Sequence, residues 1–581
     1  MIKNDLSLLV GGEAGAGITR SGFLFAKTCL RGGLHVFGTN DYQSLIRGGH
    51  NFYVVRVNRE KVECQRETID LLLALNEETV VLHKDELASD GGIIYDGDNV
   101  ELSRGELGRD DLKLYSVPLR DFVKKLEGEM IMRNTVALGA AVGILDYNLE
   151  FLEEVIEDTF KPKVAKMNIE AVEMGYNYAQ EHYAEDFGYS LEKTERAGRK
   201  NIFLTGSEAV GLGAISAGCK FYAAYPMTPA TPLLHFMASH DREYDMVVIQ
   251  PESEISAINM AAGASFAGVR SMTATSGGGF CLMSEGLGMT GMTETPVVIM
   301  LAQRPGPSTG LPTYSGQGDL RFAIHASQGE FPRVVIAPGD VEECFYRTME
   351  AFNLAEKFQI PAILITDKYL VESHGESEPF DQSRIEIDRG LLLAGEEYTE
   401  EEEYKRHKFT EDGVSSRATP GMKGAIVRTN ADEHNEGGYT TEDPELATKM
   451  NDKRFKKCEA LVKDLQNYET TTLYGPEEAE ATIIGWGSTK GPIKEAVKLI
   501  KEEGKEVNYL QIVYLNPFPG DEIEKVMKTA KKTIVVENNK TSQLSSLIRE
   551  HLLTTVDHQI LKYDGRPFDP GELSNQVMEV L

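Results

Sequence analysis

The sequence predicts a multi-domain α/β protein, on three observations. At 581 residues the chain is too long for a single hydrophobic core. Short apolar runs alternate with helical stretches in three separate blocks, the order that mainly parallel sheets require. The 55 glycines point to many tight turns where strands hand over to helices.

In the first block, residues 1–185, "LSLLV" reads as a strand, "GGEAGAG" as a tight turn and "ITRSGFLFAKTCL" as a helix. "LHVFGTN", "NFYVVRV", "DLLLAL" and "GGIIYDG" supply further strands of a mainly parallel sheet. Residues 186–200 are charged and polar and read as a linker. A second α/β block, 201–375, runs from "NIFLTGSEA" to just past "PAILITDKYL". The character changes over 376–475, where the charge run "GEEYTEEEEYKRHKFTEDG" precedes a stretch with few apolar residues. Such a segment is ordinarily a solvated connector. Its length predicts instead an ordered arm lying over other domains or a partner chain. The third block, 476–581, is α/β again, with "AEATIIGWGS", "VNYLQIVYLNPF" and "KTIVVENN" as strands and "GPIKEAVKLIKEEG" as an amphipathic helix.

Composition narrows the function. A net charge of −31 argues against nucleic acid or an anionic membrane as the main partner. The six cysteines are scattered singly, so neither a zinc ribbon nor an iron–sulfur run is encoded. "MIKNDLSLLVGG" leads directly into strand-like sequence, and no long uncharged apolar run follows; a cytoplasmic location is expected.

Several strand ends carry candidate chemistry. "FYAAYPMTPATP", 221–232, begins as a buried strand and stops at Pro226, Pro229 and Pro232, with Thr228 and Thr231 each before a proline. In "QPESEISAINMAAGAS", Pro251 opens a helix with Glu252 and Glu254 in its first turn. Helix-dipole preference alone accounts for such carboxylates. The small apolar face behind Glu254 would also suit a desolvated carboxyl that shares a proton with a ligand nitrogen. Gly277, Gly278 and Gly279 in "TATSGGGFCLMSEG" allow a close backbone approach. Arg304 ends a strand before Pro-Gly-Pro, where an open sheet binds ligands; a structural ion pair is the competing account. "GGEAGAGITRSG" departs from the dinucleotide fingerprint, with Arg20 at its sixth place, and reads as a tight turn near an anion. Trp486 reads as core.

Taken together, "YPMTPAT", "ESEISAINMAAGASFAG", "TATSGGGF" and "AQRPGPSTGLPT" resemble, in order and spacing, the α chain of the 2-oxoacid:ferredoxin oxidoreductases. "GGEAGAG" and "IRGGHN" resemble that family's γ domain, fused here ahead of α, and "VVENN" and "DGRPF" its end domain. The resemblance implies a γ-like α/β domain (1–185), a pyrimidine-type thiamin diphosphate-binding α/β domain (201–375) and a transketolase C-terminal-like α/β domain (476–581). It implies oxidative decarboxylation of a 2-oxoacid with CoA, giving acyl-CoA, CO2 and reduced ferredoxin. The best match is 2-oxoglutarate. Pyruvate, branched-chain or aryl 2-oxoacids are alternatives, as is a non-catalytic assembly subunit. Glu254 matches the glutamate that bonds the aminopyrimidine nitrogen, with Glu252 as the alternative. Thr228 and Arg304 match substrate-binding positions, Tyr225 is a further substrate-binding candidate, Gly277 and Gly278 are cofactor-binding candidates, and Arg20 and Arg47 are candidate CoA contacts, with a subunit interface the alternative for Arg47. No Gly-Asp-Gly motif and no clustered cysteines occur, so Mg²⁺ and a [4Fe-4S] cluster are expected on a partner β subunit and no metal site on this chain. The cofactor would be shared across an α–β interface in an (αβ)2 heterotetramer of anaerobic metabolism, with ferredoxin as electron acceptor. Met227 replaces the usual Ile, Ala230-Thr231 the common Ser-Ser, and Gln328 a family histidine. Arg321 and Lys220 are candidates to meet a second substrate carboxylate.

Overall fold

Most apolar runs of the N-terminal third become strands, but the sheet they build is mixed. In the computed structural model, which describes residues 2–44, 48–184, 186–399 and 402–581, the chain divides into two compact units. The first comprises Met1–Leu204, Ser373–Pro379 and Asp569–Gly571, and the second the remainder.

In the first unit, eight strands lie in the order Lys113–Val117, Leu87–Asp96, Ile69–Ala74, Asp5–Glu13, His50–Asn58, His35–Asp41, His374–Ser377 and Ile202–Thr205. The four from Lys113–Val117 to Asp5–Glu13 pair in parallel. Asp5–Glu13, His50–Asn58, His35–Asp41 and His374–Ser377 pair antiparallel, which corrects the expectation of a mainly parallel sheet. The link between Asp41 and His50 is too short for a crossover helix, so these strands fold back as a hairpin. The expected linker is tied down as well. Tyr189–Ser190 pairs with Ile2–Lys3, and Arg196 donates to Glu376 at 2.6 Å.

The second unit holds a seven-stranded sheet ordered Val247–Ile249, Phe221–Ala223, Ser271–Thr275, Val297–Gln303, Pro361–Asp367, Val334–Ile336 and Tyr514–Asn516. All pair in parallel except Tyr514–Asn516, which the C-terminal block contributes antiparallel. A five-stranded sheet around Ala481–Gly485 completes the unit. Trp486 is fully buried there and donates to Glu537 at 3.0 Å, as the core reading requires.

From Phe380 on the arm belongs to this second unit, its first residues up to Pro379 falling in the first; apart from the short turn Gln382–Arg384, its described residues there are irregular until the helix Pro444–Asp464. Its scarcity of apolar residues is met by buried ion pairs. Arg389 and Arg417 of the arm, with Arg270, converge on Glu356. Lys453 and Lys457 close on Glu294, to which His407 also bonds. Glu294, His407 and His434 stand close enough to suggest a metal site. The carboxylate is already taken up by two ammonium groups, so the cluster is an ion-pair knot. Desolvation offsets much of the gain from such pairs, yet removing one partner is costly, and this registers the arm on its support. Among the described residues no helix is long and apolar enough to cross a membrane.

Candidate active site

The parallel strands of the second unit all end at one edge. Phe221–Ala223 lies between Val247–Ile249, which follows it in sequence, and Ser271–Thr275, which comes after that. The chain therefore reverses its direction of travel at this strand, and such a switch point leaves a crevice at the carboxyl edge. The loops after these strands carry the candidate residues.

After Ala223 the proline elbow turns tightly. The Ala224 N–H donates to Ile249 O at 3.1 Å and the Ala230 N–H to Met227 O at 2.8 Å. The Thr228–Pro229 peptide is cis, and Pro232 sits in the first turn of the helix Thr231–Ser239. The Thr228 carbonyl accepts from Arg304 Nη1 at 2.7 Å, which fixes the guanidinium at the end of Val297–Gln303. No carboxylate among the described residues pairs with Arg304, so the structural ion pair is absent. Burial lowers its pKa. Tyr225 stands exposed on the elbow.

Glu254 begins the helix Glu254–Phe266, which is capped by Ser253 accepting from the Ser256 N–H. The residue is only 3% exposed, and among the described residues Oε1 has no hydrogen-bond partner. Leaving a buried acceptor unpaired costs about 1–3 kcal/mol. Glu252 is exposed and accepts from the Ser256 hydroxyl, which lowers its pKa. The two carboxylates of this turn therefore part company, one solvated and one reserved.

The helix Gly277–Met292 starts against Glu254. A methyl built on Gly279 would lie 2.6 Å from Glu254 Oε1 and 2.0 Å from Thr275 Oγ1. One on Gly277 would lie 2.5 Å from Asp319 Oδ2, and one on Gly278 would meet nothing within 4 Å. Thr275 Oγ1 lies 3.9 Å from Met227 Sδ. Arg304, Thr228, Met227, Thr275, Gly279 and Glu254 thus form one connected wall. The sequence reading missed Thr275, Asp319 and the particular role of Gly279. It also missed what the C-terminal motifs do. Asn538 and Asn539 of "VVENN" exchange hydrogen bonds with Gln317, Gly565 of "DGRPF" accepts from the Ser315 N–H at 3.0 Å, and Arg566 lies over Tyr314 at 3.9 Å. These contacts hold the loop between Arg304 and Asp319.

Other candidates lie elsewhere. Arg321 bonds Ser546 (3.0 Å) and Glu550 (2.8 Å), and Lys220 bonds Tyr244 O (2.5 Å) at the opposite end of its strand from the elbow. Both are engaged by neighbouring groups of the chain. Gln328 accepts from the Ser327 hydroxyl. Arg20, in the first unit, lies 4.6 Å over the Phe160 ring beside an apolar cavity of about 370 Å³. Arg47 lies outside the described residues.

The fold and crevice define a multi-domain α/β protein whose crevice wall carries a buried carboxyl with an unpartnered oxygen and a guanidinium fixed by a backbone carbonyl. Three family models match it: "Pyruvate flavodoxin/ferredoxin oxidoreductase, thiamine diP-bdg" over residues 212–453, "Pyruvate ferredoxin/flavodoxin oxidoreductase" over 7–178, and "Pyruvate:ferredoxin oxidoreductase core domain II" over 479–573. The 2-oxoacid:ferredoxin oxidoreductase 2 subunit alpha of Aeropyrum pernix is 33% identical, across 99% of this chain and 98% of that protein. The 2-oxoglutarate synthase subunit KorA of Methanothermobacter thermautotrophicus is 33% identical over 66% of this chain and 99% of its own length. The structure of 2-oxoglutarate:ferredoxin oxidoreductase from Magnetococcus marinus, with 2-oxoglutarate, coenzyme A and succinyl-CoA bound, superposes with a TM-score of 0.91 at 34% identity, covering 99% of both chains. The chain belongs to the 2-oxoacid:ferredoxin oxidoreductase family, as the α subunit of a multi-subunit enzyme.

Proposed function

We propose that this subunit serves the CoA-dependent oxidative decarboxylation of 2-oxoglutarate to succinyl-CoA and CO2, with ferredoxin as electron acceptor. The ligands of the Magnetococcus marinus relative support that substrate and CoA. The observation that carries the cofactor assignment is Glu254, a buried carboxyl with an unpartnered oxygen held in place by Gly279. It fits the ring nitrogen of thiamin diphosphate. When bound, that cofactor supplies a ring carbon acidic enough to add to a 2-oxo carbonyl and accept the electrons released with CO2.

The side chains of this subunit do the rest. Glu254 holds a proton at the aminopyrimidine nitrogen. Ala257, Ile258 and Ala261 are buried on the same side of its helix, which keeps water from that hydrogen bond. Arg304 receives the carboxylate next to the keto group. Its Nη1 is spent on Thr228 O, which aims the rest of the fork. The Thr228 hydroxyl and Tyr225 line the approach, and Gly277 and Gly278 give the cofactor backbone to lie against. The second carboxylate of 2-oxoglutarate takes its cation from outside this crevice, since Arg321 and Lys220 are engaged.

The helices Glu254–Phe266 and Gly277–Met292 are rich in small and apolar residues, yet leave Ile255 (52%), Met260 (38%) and Leu282 (50%) exposed and Gly278 open. A helix of that composition is ordinarily covered. The β subunit covers it in this reading, bringing Mg²⁺ and the [4Fe-4S] cluster, in an (αβ)2 assembly. The six cysteines are free thiols, which suits a reducing cytoplasm.

Glu254→Gln in the assembled enzyme tests the reading. Turnover should fall by roughly 10²–10⁴-fold, the usual contribution of a positioned acid–base group, while the complex still assembles. Near-normal turnover would overturn the assignment.

A further inference from the structure

Asp319 opens the short helix Leu320–His325, where an aspartate ordinarily turns its side chain back onto the helix's own N–H groups. Here no such cap forms. The carboxyl is laid against Gly277 instead, as Glu254 is laid against Gly279, and the space over Gly278 is open. The glycine run therefore carries a carboxyl at each end. Asp319 is reached by few other polar groups. Gln303 accepts its backbone N–H at 2.9 Å, and the Cys281 thiol is raised by burial and by Asp319 itself. Arg321, on its own helix, is turned to Glu550, and Glu254 stands beyond Gly279. No cation among the described residues offsets its charge, and burial pushes its carboxyl up to about 6. A half-buried carboxylate with no cation beside it is costly to ionise. Thiamin diphosphate carries a permanent cation in its thiazolium ring, and an opposite charge nearby favours the ionised carboxylate.

Resting on the cofactor reading above, we infer that Asp319 is a second ionisable carboxyl of the cofactor cleft, that the cofactor's cationic ring is its partner, and that it releases its proton to solvent when the cleft fills. The sign follows from the raised value. Near pH 6 about half of the Asp319 carboxyls hold a proton before binding, and the cation drives that proton off. At pH 8 the group is already ionised and has none to release.

The assembled enzyme, freed of cofactor, is titrated calorimetrically with thiamin diphosphate and Mg²⁺, in buffers of different ionisation enthalpy that report the protons released per site. At pH 6 the wild type should release about half a proton more than Asp319→Asn, and the two should agree at pH 8. Asp319→Glu, which keeps an ionisable carboxyl, should restore the release. Equal proton counts at pH 6 for wild type and Asp319→Asn, with both binding, would overturn the inference; a cation from the partner subunit already neutralising Asp319 would give this result. If the wild type binds no thiamin diphosphate, the cofactor reading itself falls, and the inference with it.

Discussion

Replacing Gly279 by alanine probes the packing that reserves Glu254. The new carbon would lie 2.0 Å from Thr275 Oγ1 and 2.6 Å from Glu254 Oε1, where ordinary contact begins at 3.4 Å. Two routes relieve the clash. The helix Gly277–Met292 moves off the strand Ser271–Thr275, or Glu254 swings away. Overpacking of this kind costs about 1–3 kcal/mol of stability. A displaced Glu254 also forfeits a charge-assisted hydrogen bond to the ring nitrogen, about 1.5–3 kcal/mol. At about 1.4 kcal/mol per decade, that is roughly a 10- to 100-fold rise in the cofactor Kd. Gly278→Ala is the folding control, because its methyl meets nothing within 4 Å and its backbone is not left-handed. Its unfolding temperature should not fall. Removing the facing hydroxyl in Gly279→Ala/Thr275→Ala should recover part of the loss, since the two residues share one contact. Thermal unfolding and calorimetric titration of the assembled enzyme give both quantities. A Gly279→Ala enzyme with unchanged Tm and wild-type cofactor affinity would refute the claim that this contact positions Glu254.

Two further outcomes are expected. Arg304→Lys should raise KM for the 2-oxoacid at least tenfold, because a point charge bound to Thr228 O cannot also present a planar fork; steady-state kinetics with KM and kcat both unchanged would make Arg304 structural. In the first unit, burial tends to raise the Glu376 carboxyl, but bonds from His35, Arg196 and Asn201 outweigh it and hold the group at about 2, below its ordinary 4.5. A depressed folded value means this stabilisation is complete above pH 4.5 and is lost as pH falls toward 2. Glu376→Gln should therefore flatten the acid limb of the unit's pH–stability curve, followed by acid unfolding, and an unaltered limb would contradict the assignment.

Much of this protein was legible in its sequence because the relevant signals are local. Strand and turn are written in apolar runs and glycines, and the elbow's rigidity in Pro226, Pro229 and Pro232. Glu254 stands out because a helix repeats every 3.6 residues, which places Ala257, Ile258 and Ala261 on its side. Backbone periodicity specifies which way a residue faces, and it reaches no further.

Everything that depends on a distant partner waited for the tertiary structure. The hairpin of His35–Asp41 and His50–Asn58 turned an expected parallel sheet into a mixed one. Arg321 has the charge to hold a substrate, but Glu550 is where the chain path takes it. The arm's lysines at 453 and 457 belong to a segment that reads as solvated until Glu294 arrives from the turn between the helix Gly277–Met292 and the strand Val297–Gln303. Asp319 carries no local signal, and only the tertiary structure lays its carboxyl against Gly277 instead of on its own helix. The sequence by itself determined the elements, the elbow and the family to which they point. Tertiary structure decided which charges are satisfied and left Glu254 Oε1 without a hydrogen-bond partner among the described residues, because long-range pairing is a property of the whole chain's path and leaves no local period to read.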